Sequence, residues 1–360
     1  MKLPIILSLA LVSVLFLNRT MGQPQLIFRG AVVSGGQVDV ADHNGRLHVM
    51  SNRYFVLDSL GDIIEVDTEI RDNRINPMDY HPAIDISANG TVHIFARTGG
   101  NWNDGHTLNY SKREPNGDWV LKNEKISDPV ERNYVVGIAP MDNGDAYLAH
   151  TDASNISNVP SKVNFYKVEG TTVQDLGKFN SSEYIRTDAN FKFAAFEDHT
   201  FMITGSPWGG YRSNLYYFNQ PDGDDYVSNL EASVEVIDEG NGRKGFPSIY
   251  FTDNGTGYYT VGARKAVYYN KIENDERVYA DDKILFSELG EWHLSSGLSA
   301  IAALSGGDTV LAIALNPKSE LCNGEEACEN RAEQSEILYK YSTDGGDSWS
   351  ETMTTGKFTN

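Results

Sequence analysis

Seven of the fifteen arginines in this chain occupy the same kind of place. Arg53, Arg97, Arg132, Arg186, Arg212, Arg243 and Arg264 each stand where an apolar, strand-like run gives way to a polar connection. Large aromatics share those connections, among them Trp102, Trp208, Tyr184 and Tyr211. So do His81, His106, His150 and Asp152. A guanidinium group grips a carboxylate or sulfate through paired, planar hydrogen bonds. Trp and Tyr offer flat apolar faces with polar tips, which suits sugar rings. The combination points to a surface that receives an acidic glycan. The alternative is a set of loop arginines paired with the many Asp and Glu of a chain whose formal net charge is −20. That acidity argues against nucleic acid or an anionic membrane as the main partner.

The elements that must position these residues are short strands. Helical periodicity is scarce, and period-2 apolar runs bounded by Gly, Asn and Asp recur along the chain. A first series of turns sits at Gly45, Gly90, Gly144, Asp198, Gly255 and Gly307, spaced as in propeller repeats. A second series is an aromatic-rich strand, "TLNYSK", "KVNFYK", "NLYYFN", "AVYYNK" and "ILYKYS", with "RYFVLDS" in the first repeat. Each such strand enters a polar turn that is often closed by an aromatic: Trp119, Tyr226, Tyr279 and Trp349. Naming the four strands of a repeat A to D, the Gly turns join A to B and the aromatic-closed turns join C to D. Strand alternation puts both on one side. The B–C and D–A connections, which hold the arginines, then share the other side. His48 and His93 fall inside B strands and read as packing residues.

The clearest copy of the C–D turn is "STDGGDSW", Ser342 to Trp349. It resembles the Asp box of sialidase-like, BNR-repeat β-propellers, and the degenerate copies in register extend the resemblance over nearly the whole chain after its first residues. The fold this implies is an all-β propeller of four-stranded antiparallel blades, with six blades counted and seven as the alternative. Residues Gln25 to Val33 are expected to supply a closing strand beside the last blade. In such propellers the site surrounds a central channel on the B–C and D–A side. Asp344 and Trp349 would then stabilise the turn and take no part in chemistry.

Within that superfamily, propeller lyases acting on ulvan resemble the second repeat, "MDYHPAIDISANGTVHIF" followed by "DGHTLNYSK". The resemblance implies His81 and His106 as catalytic residues. It also implies a Tyr and an Arg from a later blade, for which Tyr184, Tyr211 and Arg212 are substitutes by location. Arg97, Trp102, Arg132, Arg186, Trp208, Arg243 and Arg264 would bind substrate. The reaction would be β-elimination on a uronate-containing polysaccharide. Sialidase-type hydrolysis is a second possibility, although Arg29 in "FRGAVV" precedes the first repeat and no Ile-Pro follows it. A propeller that binds glycans without cleaving them is the third.

The chain begins with Lys2, an apolar run from Leu3 to Leu17 and Thr20-Met21-Gly22, the form of a cleavable secretory signal over residues 1–22. Residues 23–360 then form a single propeller domain, secreted or periplasmic and expected to be monomeric. In an oxidising compartment, Cys322 and Cys328 in "CNGEEAC" are expected to pair. No cofactor is required by this chemistry. Asp222, Asp224 and Asp225 are close enough in sequence to suggest calcium, but they lack the spacing of an EF-hand loop and read as a solvated turn.

Overall fold

The structure is a computed structural model. It describes residues 39–50, 53–58, 60, 62–71, 82–98, 107–126, 136–152, 162–180, 190–196, 199–205, 214–219, 233–236, 245–252, 254–262, 266–274, 276–287, 289, 299–303, 307–316 and 336–357. The chain falls into two compact units. One comprises Met1–Asp188 with Asn219–Glu231, the other Ala189–Phe218 with Ala232–Asn360.

In the first unit the described strands make three antiparallel sheets. Sheet 1 is built from β1 (Asp39–His43), β2 (Arg46–Met50), β3 (Arg53–Leu57) and β4 (Ile63–Arg71). Sheet 2 follows with β5 (Ala83–Ile86), β6 (Val92–Thr98), β7 (Thr107–Arg113) and β8 (Trp119–Lys125). Sheet 3 contains β9 (Val136–Pro140), β10 (Ala146–Asp152), β11 (Lys162–Glu169) and β12 (Thr172–Asn180).

The second unit repeats the plan. Sheet 4 is β13 (Asn190–Phe196), β14 (His199–Gly205), β15 (Asn214–Asn219) and β16 (Ser233–Val236). Sheet 5 is β17 (Gly245–Phe251), β18 (Gly257–Gly262), β19 (Val267–Glu273), β20 (Glu276–Arg277) and β21 (Lys283–Phe286). Sheet 6 is β22 (Ser299–Ala303), β23 (Val310–Asn316), β24 (Glu336–Ser342) and β25 (Met353–Lys357). Apart from the outer edge of sheet 5, each sheet pairs its strands in chain order, and the described residues are all-β and of propeller type. The six aromatic-rich runs are the third strands β3, β7, β11, β15, β19 and β24.

Sheet 5 departs from four strands per blade. Both β20 and β21 pair with β19, which splits the outer edge in two. A buried amide holds the split. Asn270 Nδ2 donates to Tyr279 O (2.9 Å) and Asp282 Oδ1 (2.7 Å), and Asn270 Oδ1 accepts from Tyr279 N (3.1 Å). Tyr259 also donates to Asp282 Oδ1 at 2.6 Å. Burial holds the Asp282 carboxyl above the ordinary aspartate range.

The A–B turns carry the predicted glycines. Gly45, Gly90, Gly144, Gly255 and Gly307 all have positive φ, between 73° and 91°. Three of these turns share one hydrogen-bond pattern. Gly90 N donates to Ser87 O, Gly144 N to Met141 O and Gly255 N to Thr252 O, at 2.8 to 3.0 Å. The glycines also admit the neighbouring sheet. A Cβ on Gly90 would stand 2.7 Å from His43 Nε2 of sheet 1, and one on Gly144 would stand 2.6 Å from Asn89 Nδ2 of sheet 2. The Asp198 turn lies outside the described residues, although Phe196↔His199 pairing brackets it.

Between sheets, apolar side chains close the core. Tyr54 and Val56 of sheet 1 pack with Ile84, Val92, Ile94 and Ala96 of sheet 2. Phe95, Leu108 and Tyr110 of sheet 2 pack with Val136, Ile138 and Leu148 of sheet 3. Tyr258, Val267 and Tyr269 of sheet 5 pack with Ile301, Val310 and Ala312 of sheet 6. Two of the aromatics that close C–D turns lock onto the preceding sheet. Trp119 meets Tyr54 edge-on (5.3 Å, 81°), and Trp349 meets Tyr269 in the same way (5.0 Å, 81°). Such a pair contributes about 0.5–1.5 kcal/mol beyond area burial.

The turn before Trp349 is built by two side chains. Ser342 Oγ accepts from Gly346 N (2.7 Å), and Asp344 Oδ1 accepts from Ser348 N (2.9 Å). Bonds from the Ser342 and Ser348 hydroxyls hold the Asp344 carboxyl well below the usual range. Gly346, at φ 85°, lies directly under the buried Tyr269 hydroxyl, which donates to Gly346 O at 3.2 Å. Gly346→Ala should therefore cost about 2–4 kcal/mol, from overpacking plus an unfavourable φ. Gly45→Ala, where nothing stands within 4 Å of the missing Cβ, should cost about 1 kcal/mol from the positive φ alone. Denaturant unfolding of the two variants tests the difference; equal losses would contradict it.

Candidate functional site

Strand pairing fixes which connections share an end of each sheet. The first residue of strand A pairs near the last residue of strand B: Asp39↔Met50, Ala83↔Phe95, Val136↔His150, Asn190↔Gly205, Gly245↔Gly262 and Ser299↔Ala314. The D–A and B–C connections of a sheet thus meet at one end, with the glycine turns at the other. In sheet 2 the site end is marked by Ala83, by Thr98↔Thr107 and by Arg97↔Leu108. These strand ends flank the second-repeat motif.

Most of the predicted site residues fall outside the described residues. This applies to His81, His106, Tyr184, Tyr211 and Arg212, and to Trp102, Arg132, Arg186, Trp208, Arg243 and Arg264. It applies equally to Cys322 and Cys328 and to Asp222, Asp224 and Asp225. Residues 1–38, with the signal and the closing strand, lie outside as well.

Four expectations about connections are corrected. Arg97 is the penultimate residue of β6, because the ladder with β7 continues to Thr98↔Thr107. Asp152 ends β10 by pairing with Lys162, and so belongs to a strand. His150 is also within β10 and is 1% exposed. Its Nε2 lies 3.2 Å from Tyr166 Oη, Asn164 Nδ2 donates to its Nδ1 (3.4 Å), and its ring stacks on Tyr166. It is a core histidine. Arg53 begins β3 and is exposed, opposite Arg71.

The described His, Tyr and basic side chains form buried clamps, and the packing role read for His48 and His93 holds. His93 is fully buried, with Nδ1 2.6 Å from Tyr110 Oη and Nε2 2.8 Å from Ser87 Oγ. In sheet 1, Tyr54 Oη accepts from Arg113 Nη1 (3.0 Å) and lies 2.7 Å from His48 Nδ1. Arg113 also reaches Glu65 (2.8 Å), Gly117 O and the faces of Tyr54 and Trp119. Lys112 donates to Gly170 O of sheet 3 (2.9 Å), and Lys271 bonds Asp347 of sheet 6 (3.1 Å). Sequence reasoning missed these third-strand cations. A Lys or Arg two or three residues after a C-strand Tyr was the available signal.

Burial lowers the His48 pKa to about 4, with the Arg113 charge adding to the effect, and lowers that of His93 to about 3. Among the described residues no cluster of His, Cys, Asp or Glu fits a metal ion, and no helix is long and apolar enough to cross a membrane.

No protein-family model and no curated protein matches the chain. Solved structures do. A polysaccharide lyase of a family designated PL25, an ulvan lyase, aligns over 88% of this chain and 82% of its own, with 13% identity and a TM-score of 0.50. The α-L-arabinofuranosidase Arb93A from Fusarium graminearum aligns over 78% of this chain and 87% of its own, also with 13% identity and a TM-score of 0.50. At such identities the likeness is one of fold.

The two lowered histidine pKa values set an acid limit. Their stabilising neutral forms are fully present above the unfolded value of 6.5. Stability is lost as pH falls from there toward about 4 and about 3, because the unfolded chain takes up the protons first. Each histidine should remove about 1.4 kcal/mol per pH unit across that window. His93→Gln should flatten the fall in urea-unfolding stability between neutrality and mild acid. An unchanged slope would contradict the assignment.

Proposed function

We propose that this chain is a secreted, carbohydrate-active propeller that cleaves an anionic, uronate-containing polysaccharide by β-elimination. A ring of six blades over residues 23–360, after removal of residues 1–22, is part of the proposal. The observation that carries it is the convergence of Ala83, Thr98 and Thr107 at one end of sheet 2, with Arg97 one residue inside. His81 and His106 adjoin those strand ends in sequence, and Trp102 lies between them. The fold likeness to an ulvan lyase supports the same choice.

The chemistry follows from the substrate. The proton on C5 of a uronate is weakly acidic because the adjacent carboxylate is already negative. Arg97 and the connection arginines would neutralise that carboxylate and the enolate-like charge that develops. One of His81 and His106 would take the proton, and the other would protonate the C4 oxygen as the glycosidic bond breaks. The product carries a C4–C5 double bond. No cofactor enters these steps, and the partner is a glycan.

Incubation of the full chain with ulvan and other uronate polymers should raise ultraviolet absorbance and yield unsaturated fragments on chromatography. His81→Ala and His106→Ala should each lower the rate by about 10²–10⁴-fold while the fold persists. Salt-sensitive binding with no unsaturated product would establish a glycan-binding propeller in place of a lyase. Release of a free terminal sugar without unsaturation would establish a hydrolase.

A further inference from the structure

Five Asn-Gly dipeptides lie among the described residues: Asn44-Gly45, Asn89-Gly90, Asn116-Gly117, Asn143-Gly144 and Asn254-Gly255. This dipeptide is chemically labile, because the unhindered glycine nitrogen can attack the asparagine side-chain carbon. Four of the five are restrained in one way. The side-chain Oδ1 accepts from the backbone N–H two residues on, at 3.0 Å for Asn89, Asn116 and Asn143 and 3.2 Å for Asn254. The attacking nitrogen is also engaged. Gly90, Gly117, Gly144 and Gly255 each donate their N–H to a carbonyl three residues back.

Asn44 differs on every count. It sits at φ 54° and Gly45 at φ 73°, so the two form the tight loop between His43 and Arg46, as in a type I′ hairpin. Among the described residues neither Gly45 N–H nor Asn44 Oδ1 has a partner. Both residues are exposed, and open space surrounds Gly45. Asn44 Nδ2 instead donates to His43 Nε2 at 2.7 Å. An imidazole thus stands on the nitrogen that would leave.

We propose that Asn44 is a site of spontaneous deamidation, with His43 as its acid–base group. Hydroxide takes the proton of Gly45 N, and that nitrogen attacks Asn44 Cγ, forming a C–N bond and a tetrahedral oxyanion. The Cγ–Nδ2 bond then breaks. Solvent supplies a proton that the His43 ring, whose Nε2 stands 2.7 Å from Nδ2, passes to that nitrogen as ammonia departs. Water opens the resulting succinimide at either carbonyl and gives aspartate or isoaspartate. Isoaspartate adds a methylene to the main chain of a two-residue loop. Aspartate sets a charge beside His43, the side chain packed against Gly90 of sheet 2. Either product alters the contact between sheets 1 and 2.

The test is mass spectrometry of digests of the folded full chain aged in mildly alkaline buffer. Asn44 should gain about one mass unit about ten-fold faster than the other four sites, and in urea the five rates should converge. His43→Phe should slow Asn44 several-fold and leave the others unchanged, with folding checked by circular dichroism. Equal rates in the folded chain would overturn the site. An unslowed Asn44 in the His43 variant would overturn the role of the ring.

Discussion

Close approach of one sheet's A–B turn to the next is the constraint on which the described structure depends. It needs a residue that has no Cβ and accepts positive φ, and glycine meets both demands. At Gly90 the neighbour is His43, at Gly144 it is Asn89 with Thr91, and at Gly307 it is Thr252. A Cβ at Gly90 or Gly144 would force those side chains to shift, while one at Gly307 would make ordinary contact with Thr252.

The contacts that hold neighbouring sheets together consume the basic and aromatic groups of the third strands. Arg113, Lys112 and Lys271 reach across to a carboxylate or carbonyl of an adjacent sheet, and each is mostly buried. Burying a cation is costly unless it is paired, so these side chains are committed to structure. The same holds for His48, His93 and His150, each tied to a tyrosine. Under the proposed function, groups that meet an anionic ligand would come from elsewhere in the chain. The connections are where the sequence concentrates its other arginines.

Much of this was legible in the sequence, because turns and alternation are local. The positive-φ glycines, the aromatic third strands and the Trp119 and Trp349 closures all follow from short stretches. Strand ends were less legible. Alternation does not say where a ladder stops, so the sequence pattern reads as a connection at Arg97, His150 and Asp152 although each belongs to a strand. The split edge of sheet 5 depends on Asn270 and Asp282, twelve residues apart, meeting in space. The third-strand clamps span 48 to 77 positions, as in Arg113–Glu65 and Tyr269–Gly346, and no local pattern encodes such pairs. Of the candidate site, the framing strand ends are seen, and among the described residues Arg97 is the predicted substrate-binding residue that lies in them.

The central claim is that ligand meets sheet 2 at the end opposite its glycine turns. Hydrogen exchange of the full chain, with and without a saturating uronate oligosaccharide, tests it most directly. Amides of residues 97–98 and 107–108 should slow on binding, while those of residues 89–91 and 116–118 exchange as before. Protection at the glycine turns, with none at the ends marked by Thr98 and Thr107, would contradict the claim.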